Sequence, residues 1–62
     1  MTTYTATAYN SNGRTGTRTI SAKTVRGAKT IASNWASADT TVIIIESKIE
    51  AWRKQDGKWY MI

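Results

Sequence analysis

"VRGAKTIASNW", Val25–Trp35, is the one stretch of the chain with a helical period, and it divides the rest into two groups of strands. Val25, Ala28, Ile31, Ala32 and Trp35, followed by Ala36, fall on one face at spacings of three and four. Arg26, Lys29, Thr30 and Ser33 fall on the other, with Lys23 just before them. Thr24 is the predicted N-cap, its side-chain oxygen meeting the free N–H groups of the first turn. Ala28 and Ala32 are small enough to let the helix lie close on a sheet. Gly27, on the outward side, costs about 0.8–1 kcal/mol relative to Ala. Serine and threonine are mediocre helix formers, so tertiary packing must hold this segment. The predicted end lies near Ser37–Asp39.

Upstream, "TTYTATAY" (residues 2–9) and "RTGTRTIS" (14–21) alternate strictly around the turn formers "NSNG" (10–13), which predicts a hairpin. A three-residue loop, Ser11–Gly13, places Gly13 where φ > 0 is needed. It pairs Tyr4 with Ile20 and sets Thr5, Thr7 and Tyr9 opposite the threonines of the second strand. One face is then apolar and the other a threonine surface. Arg18 falls on the apolar face and is expected to snorkel out at the sheet edge.

Downstream, "TTVIIIES" (40–47) carries four consecutive branched apolar residues and reads as a central strand buried on both faces or nearly so. "KIEAWRK" (48–54) and "KWYMI" (58–62) flank Asp56-Gly57, a two-residue hairpin signal that pairs Trp52 with Met61 and Lys54 with Trp59. The pattern near Ser47–Lys48 fits a tight turn or a bulge. The expected architecture is α+β: an antiparallel sheet of about five strands in ββαβββ order, with a single helix packed on one face and residues 1–62 forming one small domain.

The composition narrows the chemistry. There is no Cys and no His among the 62 residues, which excludes disulfides and metal sites built from thiolate or imidazole. The four carboxylates are dispersed: Asp39 before a strand, Glu46 and Glu50 on strands, Asp56 in a turn. Glu46 and Glu50 could approach across a hairpin, but they read more simply as solvent-facing partners of Lys48 and Arg53. "NGRTGT" (12–17) is followed by a strand, so it is no phosphate-binding loop, which requires a helix there. A nucleophile, a base and an orienting group cannot be assembled from this inventory. The expectation is therefore no enzyme, no cofactor and no metal. The N-terminus lacks the features of a targeting signal, and the longest aliphatic run, Val42–Ile45, is far too short to span a bilayer. A cytoplasmic protein without a membrane partner is expected.

Charge placement says more than the net +5. Residues 1–38 hold Arg14, Arg18, Lys23, Arg26 and Lys29 and no acid. Residues 39–62 hold four cations, Lys48, Arg53, Lys54 and Lys58, against the four acids. Net charge alone serves solubility; its segregation points to an anionic partner, nucleic acid or an acidic protein surface. Three surfaces suit such a partner: the outward helix side (Arg26, Lys29, Thr30, Ser33, with Lys23), the threonine face of the first hairpin with Arg14 at its tip, and the last hairpin with Arg53, Lys54, Lys58, Trp52 and Trp59. Cations beside hydroxyls suit phosphates, and aromatics beside cations suit unpaired bases.

Three segments also carry a resemblance. "AKTIAS" (Ala28–Ser33), "TVIIIE" (Thr41–Glu46) and "DGKW" (Asp56–Trp59) resemble a small phage-borne anti-CRISPR group, the type I-F inhibitors. The likeness spans residues 20–61, with a shift in spacing between the last two motifs. It implies a non-enzymatic inhibitor that sits on the backbone subunits of a guide-RNA surveillance complex and obstructs target-DNA binding. Lys29 and Lys58 lie within the matching motifs and are the first contact candidates. Thr30 stands where the family carries a second basic residue, and the family's insertion between the last strands is shortened.

The functional expectation is thus a phage-type inhibitory binding protein. It blocks a host nucleic-acid-handling complex, a protein or ribonucleoprotein, through a basic surface drawn from Lys29, Arg26, Lys58, Lys23, Arg14, Thr30 and Ser33. The alternatives are a direct nucleic-acid-binding module and a small interaction protein that dimerises by a sheet edge; the chain is monomer or homodimer.

Overall fold

Turn chemistry and alternation build a two-strand hairpin in the first part of the chain and a three-strand meander in the last part, and one long-range pairing joins them. The computed structural model describes residues 1–62. The elements run β1 (Thr2–Asn10), β2 (Gly13–Ala22), α1 (Val25–Trp35), β3 (Val42–Glu46), β4 (Ala51–Gln55) and β5 (Lys58–Met61). All five strands form one antiparallel sheet in the order β2-β1-β3-β4-β5. The expected α+β architecture and element order are observed.

The first hairpin keeps the expected register from Tyr4↔Ile20 to Ala8↔Gly16. At its tip the register shifts: Tyr9 stands opposite Arg14 rather than a threonine, and Asn10 opposite Gly13. Thr15 is thereby left as the extra residue of a bulge, its hydroxyl donating to the Ala8 carbonyl (3.3 Å). The loop shortens to Ser11-Asn12 because the Asn10 carboxamide oxygen accepts from the Asn12 N–H (2.8 Å), an Asx turn that tightens the corner. Gly13, at φ 115°, takes the conformation foreseen for it.

Thr24 caps α1 as expected, accepting from the Gly27 N–H at 3.2 Å. The helix ends at Trp35, slightly early, with the Ala36 N–H donating to the Ala32 carbonyl. Five of the nine buried residues are alanines: Ala6, Ala8, Ala22, Ala28 and Ala32. Small side chains on both sides let the helix approach the sheet closely, and Tyr4, Ile20, Ile43 and Ile45 complete the core. The buried stripe centres on Ala28 and Ala32, with Val25, Trp35 and Ala36 packed around it. Ile31, expected on this face, is exposed. Seating the two alanines rotates it to the flank away from β4 and β5.

The backbone of α1 packs on β2 and β3, astride β1, and stops short of β4 and β5. The other face of the sheet carries no helix. Val42 and Ile44 are therefore only half-buried, whereas Ile43 and Ile45, beneath α1, are buried. The expectation of a β3 covered on both faces is corrected: one short helix covers one face only. The β3–β4 connection is a tight turn. The Ser47 N–H donates to the Glu50 carbonyl (2.8 Å), while the Ser47 hydroxyl oxygen accepts from the N–H groups of Ile49 and Glu50 (both 3.3 Å). Asp56 (φ 54°) and Gly57 (φ 77°) form the β4–β5 turn, with both central residues at positive φ. The foreseen pairs Trp52↔Met61 and Lys54↔Trp59 result. Arg18 stands exposed on the edge strand β2, as snorkelling requires.

Candidate nucleic-acid interface

The sheet order sorts the basic and aromatic residues onto two faces. Residues paired across strands share a face, and neighbours along a strand alternate. Lys54 donates to the Ser33 hydroxyl of α1 (3.0 Å), so the Lys54↔Trp59 pair faces the helix, as does Trp52↔Met61. Gln55↔Lys58 and Arg53↔Tyr60 therefore face away from it. The last hairpin, expected as one surface, is thus split: Trp52, Lys54 and Trp59 lie on the helix side, Arg53 and Lys58 on the open side.

On the helix side, Lys29 is not an outward residue. It is half-buried, its ammonium 3.5 Å from the centroid of the Trp52 ring and 5.8 Å from that of Trp59. The Lys54 ammonium lies 6.0 Å from the centroid of the Trp59 ring. These side chains bridge the space that the helix backbone leaves over β4 and β5. Arg26, Lys29, Thr30, Ser33, Asn34 and Trp59 line a shallow cleft of 330 Å³ there. Four of the expected contact residues, Arg26, Lys29, Thr30 and Ser33, are thus brought together. Lys23 stands exposed in the connection before α1.

Arg14 and Lys58 lie instead on the open face, at opposite ends of one cross-strand row: Arg14, Tyr9, Val42, Gln55, Lys58. The adjacent row reads Thr17, Thr7, Ile44, Arg53, Tyr60, and the next Thr19, Thr5, Glu46, Ala51. The face therefore joins the threonine surface to three cations on three strands, two tyrosines, half-buried Ile44 and a single carboxylate, Glu46. Arg53 is steadied by donating to the Gln55 side-chain carbonyl, which aligns its guanidinium along the face. Tyr9 and Tyr60 lie three inter-strand steps and one row apart, about 16 Å. Sequence reading alone leaves out Tyr9, Ile44 and Tyr60. The alternation around Asp56-Gly57 places Arg53 beside Tyr60, but only the β1–β3 pairing brings them onto one surface with Tyr9.

The acids stand apart. Asp39 accepts from the Ser37 hydroxyl (2.6 Å) and the Asn10 carboxamide (2.9 Å), tying the α1–β3 connection to the end of β1. These bonds, that from Ser37 foremost, hold its carboxyl below the ordinary aspartate range. Glu50 accepts from the Trp52 indole N–H, orienting that ring. Glu46 pairs with Ala51 on the open face, so Glu46 and Glu50 lie at the two ends of the β3–β4 turn. No group of three or more carboxylates comes together, and no helix is long and apolar enough to cross a membrane. Comparison with protein-family models, curated proteins and solved structures finds no match.

Proposed function

We propose that this chain is a non-enzymatic binding protein that takes a single nucleic-acid strand across its open sheet face. The observation that carries the reading is the composition of that face: Arg14, Arg53 and Lys58 on β2, β4 and β5, Tyr9 and Tyr60 between and beyond them, and Glu46 as the sole acid. Cations on separate strands suit successive phosphates of a backbone lying across the strands. The tyrosine rings offer stacking for unpaired bases, and the threonine hydroxyls offer hydrogen bonds to phosphate and sugar. An open five-strand surface suits splayed bases better than a duplex, whose bases are stacked away inside.

The resemblance to the type I-F inhibitors shares with this reading only its outcome, since it implies a protein seated on the complex's backbone subunits rather than on the strand. A protein that holds a strand on its sheet competes with a host complex for its target. Lys29 and Lys58, the two residues singled out by the resemblance, lie on opposite faces, so a complex contacting both must reach around the β5 edge.

Fluorescence anisotropy of labelled single-stranded and duplex oligonucleotides across a salt series tests the proposal. Three phosphate contacts give a slope of log K against log salt of about −2 for a single strand. Tighter binding to duplex than to single strand, or no binding at low salt, would sink it.

A further inference from the structure

The cleft between α1 and β5 lies on the side of the sheet away from the open face. We infer that it is a separate site for a phosphate monoester carrying a planar base, that is, a nucleotide. Three features of its lining converge. Arg26 and Lys29 bring two cations to one wall, and no carboxylate is among the lining residues, so the cleft attracts an anion. The Ser33 hydroxyl, which accepts from Lys54, keeps its proton to donate into the cleft, while the Thr30 hydroxyl donates to the Arg26 carbonyl and offers the cleft only an acceptor. The Trp59 indole forms the opposite wall, and the Asn34 carboxamide can both donate and accept at a base edge.

The walls are held before any ligand arrives. Lys29 is seated on the Trp52 ring and close to Trp59, and the Lys54–Ser33 bond spans the cleft's end. The volume of 330 Å³ lies at the low end of the roughly 300–1,000 Å³ range of small-ligand sites. It suits one nucleotide and not a run of them. The phosphate meets Arg26 and Lys29, and the base lies against Trp59. A free mononucleotide and the phosphorylated end of a strand present the same chemistry.

This inference does not rest on strand binding by the open face, and its test keeps the two apart. The full chain, isotope-labelled, is titrated with AMP, with inorganic phosphate, and with short oligonucleotides bearing either a 5′-phosphate or a 5′-hydroxyl. The chemical shifts of Arg26, Asn34 and the Trp59 indole N–H are followed. AMP is expected to move all three and to bind more tightly than inorganic phosphate. Arg26→Gln, on an exposed helix position, weakens AMP by about ten-fold or more, while Tyr60→Ala on the open face leaves it unchanged. Stronger shifts with the 5′-phosphorylated oligonucleotide than with AMP assign the site to strand ends; the reverse assigns it to free nucleotide. Equal affinity for phosphate and AMP, an unmoved Trp59 indole, or an unaffected Arg26→Gln overturns the inference.

Discussion

Lys29 rests its ammonium 3.5 Å from the centroid of the Trp52 ring, on the one flank of α1 where the backbone leaves β4 uncovered. The contact substitutes for packing that the short helix cannot supply. Lys29→Met keeps the aliphatic reach and removes the charge. It is expected to cost about 0.5–2 kcal/mol, the range of cation–π pairs between exposed and desolvated settings. Urea unfolding of the two proteins measures the difference, and an unchanged midpoint would show the contact to be energetically idle.

Gly27 is the most improvable helix position. A Cβ there meets only the Ala22 Cβ and the Thr24 hydroxyl oxygen, both at 3.6 Å, ordinary van der Waals contact. Gly27→Ala is expected to stabilise by up to about 1 kcal/mol, read as a higher thermal midpoint. Thr24→Ala, three residues earlier, removes the cap and is expected to destabilise by about 1 kcal/mol.

Close approach of helix and sheet depends on alanine. Ala32 is fully buried against the sheet, so Ala32→Leu forces α1 outward and is expected to cost about 1–3 kcal/mol. Because the helix flank carries the cleft, the same variant should also disturb the Trp59 indole resonance, whereas Ile31→Ser, on the exposed flank, should not.

Much of this arrangement is legible in residue order, and the reason is locality. Gly13, Asp56-Gly57 and Thr24 act on neighbours within a few positions, so the turns, the cap and the pairs Tyr4↔Ile20 and Trp52↔Met61 follow from the sequence. The bulge at Thr15 escapes notice because it depends on a competing Asx turn at Asn10. The exposure of Ile31 escapes it because a helical period defines a stripe but not the line within the stripe that seats on the sheet. Least visible is the open face. Arg14 and Lys58 share a row only because β3 inserts beside β1, a pairing that no local pattern announces.

For the open face, Tyr60→Ala tests stacking with little effect on the fold, since Tyr60 is 52% exposed on the edge strand. Affinity for a single strand is expected to fall by about 1–3 kcal/mol, the value of one stacked base, with an unchanged salt slope. Arg53→Gln together with Lys58→Gln should do the converse and flatten the slope by about 1.4 for two lost phosphate contacts.

Asp39 gives the molecule an acid-sensitive tie. Its carboxyl is held below its ordinary value by the Ser37 hydroxyl and then the Asn10 carboxamide. The stabilising form is therefore the ionised one. Its contribution is fully present above the unfolded aspartate pKa, about 3.9, and is lost as pH falls through the lower folded value. Asp39→Asn lacks this component, so its stability should decline less than the parent's as pH is lowered from 5 to 3, as followed by thermal melts at each pH.

The sheet order also sets how the chain must be assembled. Every strand pairing but one joins neighbours linked by a short turn. The exception is β1 with β3, sealed where Thr41 reaches back 32 positions to the Tyr9 carbonyl with both its N–H (2.8 Å) and its hydroxyl (3.3 Å). As the polypeptide leaves the ribosome, the first hairpin and the helix emerge with six of the eight core residues between them, and Ile43 and Ile45 arrive only afterwards to complete the cluster. Closure of that single long loop is the entropic hurdle of folding.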